Sequence, residues 1–174
     1  MKNYQDGGEA ILEAFRRLKT DYVISSPGSE WASFWEALAR QKRDGIDGPK
    51  YIDCGHESIA VNMATAYTKI TGRLQTVLLH AGAGMLQGSM AVDAANAMET
   101  PLLIMSGEVL GYGEGTFDPG SQWYRNLSVP GGTQRLIEQS LTCATNIADC
   151  SHDIVLEDLT VIITALVLNS VDEF

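Results

Sequence analysis

Apolar positions along the chain switch between two spacings. Ile11, Ala14, Phe15 and Leu18 recur at helical intervals, and Tyr22-Val23-Ile24-Ser25 follows as a short strand-like run that stops at Pro27-Gly28. Trp31, Phe34, Trp35 and Leu38 predict a second helical face, and Tyr51-Ile52-Asp53-Cys54 a second strand. Ala60, Met63, Ala64 and Tyr67 repeat the helical spacing, with Gly72 as a natural stop. Thr76-Val77-Leu78-Leu79-His80 predicts a third strand, followed by the Gly-rich turn 81–84. Ala91, Ala94, Ala95 and Met98 mark another helix that Thr100-Pro101 ends, and Leu102-Leu103-Ile104-Met105 predicts a fourth strand.

These strands are uniformly apolar rather than alternating, the mark of strands buried on both faces. Alternation of such strands with helices implies right-handed crossovers and an α/β fold. The expectation is a parallel sheet of about five to six strands flanked by helices on both faces. Beyond Gly107 the pattern weakens. Residues 109–132, with Asp118-Pro119-Gly120 and Pro130-Gly131-Gly132, read as one long surface loop. Thr133 is a cap for a short helix through Gln139, and Thr142–Ile147 a candidate fifth strand. Segment 153–169 reads as helix or strand, its length favouring helix. No repeat or linker divides the chain, so residues 1–174 are expected to form a single domain.

Composition narrows the function classes. A chain of 174 residues with 45% hydrophobic and 20% charged residues is ordinary for one globular domain. The net charge of −10 argues against a nucleic-acid binder and against docking on an acidic membrane surface. Cys54, Cys143 and Cys150 form an odd set without a CxxC pair, so neither a disulfide framework nor a zinc site is expected, and no metal ligands are assigned. The start, MKNYQDGGEA, lacks the apolar core of a signal peptide, and Ile154–Leu168 contains Glu157 and Asp158 and is short for a span of ~20 residues. A cytoplasmic setting is the expectation.

Ligands of open parallel sheets bind beyond the carboxyl ends of the strands. Four polar or Gly-rich elements fall there: Ser25-Ser26-Pro27-Gly28-Ser29, Gly55-His56-Glu57, His80-Ala81-Gly82-Ala83-Gly84 and Ser106-Gly107-Glu108. Spacing alone leaves each one open. Glu57 also reads as a first-turn carboxylate favoured by the helix dipole, and His80 as a satisfied structural histidine. Gly82 and Gly84 suggest close approach by a ligand or by backbone, but AGAG lacks the Lys-Ser/Thr of a P-loop. Ser25, Ser26 and Ser29 lack a G-x-S-x-G elbow, which argues against a serine hydrolase.

Taken together, DYVISSPGS (21–29), GHESIAVNMATAYTKITGR (55–73), TVLLHAGAG (76–84) and METPLLIMSGE (98–108) carry a resemblance. In order and spacing they resemble the N-terminal, pyrimidine-binding domain of thiamine-diphosphate enzymes of the acetolactate synthase, benzoylformate decarboxylase and pyruvate decarboxylase type. The most specific piece is a Glu followed by A-x-x-M-A-x-x-Y-x-x-x-x-G. The resemblance implies that Glu57 hydrogen-bonds the aminopyrimidine of thiamine diphosphate and activates it. It implies cofactor contacts at Pro27, Gly28, Gly82 and Gly84. Ser29 and His80 match the benzoylformate decarboxylase branch, where they contact substrate and relay protons; acetolactate synthases usually carry a hydroxyl residue at the position of His80. The turn AGAGMLQG departs from the glycine–asparagine turn of both branches.

The resemblance also implies what the chain needs from elsewhere. No Gly-Asp-Gly followed some 25–30 residues later by Asn occurs, so the diphosphate- and magnesium-binding domain is expected in a partner. The family's Gly-Pro-Val closing strand is not found near VLNSVDEF either. Three arrangements follow: the N-terminal part of a longer protein, a separately encoded α subunit as in two-chain sulfopyruvate or phosphonopyruvate decarboxylases, or a degenerate relative kept as an interaction module. The implied activity is that of a lyase or transferase acting on a 2-oxo acid, inactive as a lone domain. Homo- or hetero-oligomerisation is implied because faces around 57–70 and 88–98 meet a partner subunit in the family; periodicity alone equally reads them as core.

Overall fold

In a computed structural model, residues 4–80 and 82–108 are described, together with Val155–Leu156, Leu159–Thr160 and Ile162–Leu168. Helix α1 spans Gly7–Arg17 and leads into strand β1, Tyr22–Ser26. A 3₁₀ turn at Ser29–Trp31 opens helix α2, Ala32–Arg43, and strand β2 follows at Lys50–Asp53. Helix α3 (Glu57–Thr71), strand β3 (Gln75–Leu79), helix α4 (Ala83–Ala97) and strand β4 (Leu102–Glu108) complete the alternation. Strands β5 (Val155–Leu156), β6 (Leu159–Thr160) and β7 (Ile162–Leu168) come later.

The main sheet runs β2-β1-β3-β4-β7. The first four strands are parallel, and β7 pairs antiparallel with β4, Leu103 opposite Val167. Side chains of successive strand residues go to opposite faces, and here both faces are covered. Val23, Leu78 and Met105 join Leu12, Phe15, Trp31, Phe34 and Ala37 under α1 and α2. Ile24, Val77, Leu79 and Ile104 join Ala60, Val61, Ala64, Met85, Val92 and Ala95 under α3 and α4. Burying each Phe or Leu of these layers is worth about 1.5–3 kcal/mol. This is why the strands read as continuous apolar runs.

Local chemistry sets the element ends. Asp6 caps α1 by accepting from the Glu9 amide at 2.8 Å, and its carboxylate also takes Arg40 of α2 at 2.5 Å. Gly72 ends α3 in the left-handed region, φ 67°, as the glycine stop predicts.

Three details differ from the expectations. Segment 153–169 contributes strands rather than a helix. Ile162, Ile163, Thr164 and Val167 are β-branched and favour a pleated strand, a preference that length hides. Trp35 and Met63, assigned to apolar helix faces, stand at the surface with 37% and 41% exposure. The predicted loop 109–132, the helix 133–139 and the strand 142–147 lie outside the described residues.

Candidate functional site at the carboxyl edge

All four parallel strands end on one edge, and the turns that leave them carry the polar residues singled out by the sequence. At the start of α3, His56 takes an extended backbone conformation and its Nδ1 accepts the Ser58 amide at 3.1 Å. Glu57 is then the first helical residue and is half-buried. Its carboxylate lies at the positive end of the helix dipole, which favours negative charge. Ser58 anchors the same turn to α4, its hydroxyl donating to the Gln87 carbonyl at 2.8 Å.

Helix α4 faces Glu57 with two glycines one turn apart. A Cβ on Gly84 would fall 3.0 Å from Glu57 Oε1 and 2.7 Å from His80 Cβ. A Cβ on Gly88 would fall 3.5 Å from Glu57 Cβ. The missing side chains therefore let α4 pack closely against Glu57 and His80. Gly82, buried at the entry to α4, has φ 52° and ψ −81°, a conformation that L side chains rarely adopt.

His80 leaves the end of β3. Its backbone N–H donates to the Ser26 carbonyl at 3.1 Å, and its carbonyl accepts from Ser106 Oγ at 3.2 Å. Its ring Nδ1 meets Glu30 Oε1 at 2.8 Å and Oε2 at 3.0 Å. Gly28 passes beneath this pair, and any Cβ there would overlap both the imidazole and the Glu30 carboxylate. Glu30 thus bonds the imidazole of His80, and Glu57 lies across Gly84 from the Cβ of the same histidine. Such a set can hold a proton, pass it on and orient a polar ligand.

Of the predicted residues, the structure brings Glu57, His80, Gly28 and Gly84 into one cluster, with Gly82 and half-buried Pro27 on its turns. Ser29 opens the 3₁₀ turn, is exposed, and has no side-chain hydrogen bond among the described residues. Sequence reasoning misses Glu30. Its signal is faint: an acidic residue three positions beyond Pro27, in a turn that leaves a strand end. A separate cavity of about 390 Å³ lies at the amino ends of the strands, lined by Arg16, Lys19, Asp21, Lys50 and Arg73 among others. It includes none of the predicted site residues. Among the described residues no group of His, Cys, Asp and Glu could hold a metal ion, and no helix is long and apolar enough to cross a membrane.

Comparison with known proteins gives this arrangement a context. The family model described as thiamine pyrophosphate enzyme, N-terminal TPP binding domain, matches residues 5–129. The acetolactate synthase large subunit of Haemophilus influenzae is 28% identical over 104 residues, which is 60% of this chain and 17% of that protein. The 2-hydroxyacyl-CoA lyase 2 of Danio rerio is 28% identical over 101 residues, 58% of this chain and 15% of that protein. The chain therefore spans under a fifth of either relative. A Rhodococcus jostii thiamine diphosphate-dependent 4-hydroxybenzoylformate decarboxylase shares the fold, with a TM-score of 0.52, 20% identity, and coverage of 77% of this chain and 27% of that one. The family match runs through every element from α1 to β4 and through the whole carboxyl-edge cluster. The chain belongs to the thiamine pyrophosphate enzyme family, as its N-terminal, thiamine-pyrophosphate-binding domain.

Proposed function

We propose that the chain is the aminopyrimidine-binding part of a thiamine-diphosphate-dependent decarboxylase or synthase acting on a 2-oxo acid, with Glu57 as the carboxylate that activates the cofactor. The observation that carries this reading is the convergence at the carboxyl edge of Glu57 and His80, which the close approach of Gly84 holds side by side. The half-buried Glu57 carboxylate suits a ring nitrogen of the aminopyrimidine. Thiamine diphosphate, when bound, supplies a nucleophilic carbon and an electron sink.

The chain's own residues do the proton work. Glu57 shares a proton with a ring nitrogen, and the helix N-terminus that favours its charge opposes that sharing. Enclosure by the ring and by a second domain shifts the balance toward sharing. Assembly therefore makes Glu57 catalytic. His80 relays a proton to and from the reacting substrate, and Ser29, exposed on the neighbouring turn, contacts the substrate carboxylate. Pro27, Gly28 and Gly82 shape the turns that the cofactor lies against.

The diphosphate and its magnesium belong to a partner domain or subunit. Support for a partner comes from side chains that α3 and α4 leave in solvent: Ile59 at 52%, Ile70 at 85%, Leu86 at 43% and Met90 at 82% exposure. Their spacing, with Leu86 and Met90 four apart, makes a helical stripe suited to a second subunit. The test is to express the chain with the diphosphate-binding segment encoded beside it and measure decarboxylation of aromatic and aliphatic 2-oxo acids. The expected outcome is cofactor-dependent release of carbon dioxide by the pair and none by the lone chain. A stable complex with no thiamine dependence would instead favour an interaction module.

A further inference from the structure

Glu30 lies outside every motif that pointed to the site, yet it is the group that holds the ring of His80. Both carboxylate oxygens lie within hydrogen-bond distance of Nδ1, at 2.8 and 3.0 Å, and the Glu30 side chain is only 12% exposed. The approach is built in from three sides. Gly28 yields the space beneath the pair, and a Cβ on Gly107 of β4 would come within 2.5 Å of Glu30 Cγ. Trp31, the next residue, is buried and donates its indole N–H to the Leu79 carbonyl at 2.9 Å. That bond ties the turn bearing Glu30 to the residue that precedes His80. With the backbone of His80 held by Ser26 and Ser106, the imidazole is fixed at both ends. Its other nitrogen, Nε2, has no hydrogen-bond partner among the described residues.

We propose that Glu30 is a positioning residue that fixes the tautomer of His80. A carboxylate can only accept, so the proton of the neutral ring resides on Nδ1 and Nε2 keeps its lone pair. A free histidine prefers the reverse. The bare Nε2, on the ring edge away from Glu30, is then the atom that takes a proton from the reacting groups and returns it. The carboxylate compensates the positive charge that the ring carries in between, and Glu30 keeps no proton of its own. The inference rests on the reading of His80 as a proton relay, but the tautomer itself can be measured without any cofactor.

The same chain supplies an internal contrast. At His56 the ring Nδ1 is an acceptor from the Ser58 amide, so its proton resides on Nε2. Nitrogen-15 NMR of the full chain, at about pH 8.5 and thus above the ordinary histidine range of ~6.5, separates the two cases. Only three histidines are present, and His80→Gln and His152→Gln variants identify the signals. The expected result is a protonated Nδ1 at His80 and a protonated Nε2 at His56, with Glu30→Ala moving His80 to the Nε2-protonated form. Backbone amide spectra check that the variant is folded; if it is not, the wild-type spectrum alone carries the test. A bare Nδ1 at His80 in the wild-type chain overturns the proposal. In the assembled enzyme, Glu30→Ala is expected to lower kcat about 10²-fold with KM changed less than about threefold. A Glu30-held tautomer together with unimpaired turnover by His80→Ala would retain the tautomer assignment and reject the relay reading. Wild-type turnover by Glu30→Ala alongside a crippled His80→Ala would reject the positioning role alone.

Discussion

Gly84 and Gly88 lie one turn apart on α4 and both face Glu57, yet alanine at the two positions should act in opposite directions. At Gly88 the added methyl would meet Leu79 Cδ1 at 3.2 Å, Glu57 Cβ at 3.5 Å and Val61 Cγ2 at 3.9 Å. The tightest neighbour is the far end of a leucine, which can give by a few tenths of an ångström. Replacing an interior helical glycine by alanine gains about 0.5–1 kcal/mol, so Gly88→Ala is expected to be neutral or up to about 1 kcal/mol more stable. At Gly84 the methyl would meet His80 Cβ at 2.7 Å and Glu57 Oε1 at 3.0 Å. His80 Cβ cannot withdraw, because the His80 backbone is bonded to Ser26 and Ser106. Overpacking of this kind costs about 1–3 kcal/mol. Even after the helix gain, Gly84→Ala should lose up to about 2 kcal/mol. Urea unfolding of the full chain, followed by circular dichroism and by tryptophan fluorescence, gives both differences directly. Gly84 is the second residue of α4, where the propensity gain is smaller than at Gly88, so a difference of more than about 1 kcal/mol reports the close approach. If Gly84→Ala proves as stable as Gly88→Ala, the tight contact between α4, Glu57 and His80 is wrong.

Further outcomes follow from other parts of the chain. Gly72 has φ 67°, and a Cβ there would meet nothing within 4 Å, so Gly72→Ala carries a pure backbone penalty of about 1–2 kcal/mol, read as a lower Tm, and Gly72→Asn a smaller one. Trp31→Phe removes the indole donor to Leu79 and part of a filled core, costing about 1–3 kcal/mol in urea unfolding, whereas Trp35→Phe at the surface should cost under about 0.5 kcal/mol. Burial pushes the Cys54 thiol up, and the neighbouring Asp53 carboxylate adds to the rise. Less thiolate is then present at each pH below the shifted value. Alkylation at Cys54, followed by peptide mass spectrometry, should reach half its maximal rate above the ~8.5 of a free cysteine. Asp53→Asn should recover only part of the difference, and a profile at or below ~8.5 would contradict the assignment.

Much of this architecture is legible in the sequence. Four parallel strands, the four helices around them and the Gly72 stop all follow from period and punctuation, because burial on both faces of β1, β3 and β4 leaves so little freedom in residue type. The clustering of Glu57, His80, Gly28 and Gly84 is legible for a topological reason: in a parallel sheet the turns after β1, β2 and β3 share one edge. Glu30 is not, because a polar residue in a surface turn looks the same whether it faces water or an imidazole fifty residues away. Only the close approach of Gly28 and Gly107 shows which it is. Strand β7 escapes because segment length outweighs the β-branched residues Ile162, Ile163, Thr164 and Val167. The exposure of Trp35 and Met63 has a different origin. Periodicity reports which residues are apolar, and it cannot tell a face that meets this chain's own core from one left open.

The central claim is that Glu57 activates the cofactor through proton sharing. Its most direct measurement is the rate of hydrogen–deuterium exchange at the thiazolium C2 of thiamine diphosphate bound to the assembled enzyme, by rapid acid quench and proton NMR. Binding of the cofactor is checked first, by titration, so that a loss of affinity is not mistaken for a loss of activation. Glu57→Gln is nearly isosteric and removes only the ability to share the proton. The account predicts that the wild-type assembly accelerates exchange and that Glu57→Gln slows it by about 10²–10⁴-fold with the cofactor still bound. Exchange in the Glu57→Gln assembly as fast as in the wild type would contradict it.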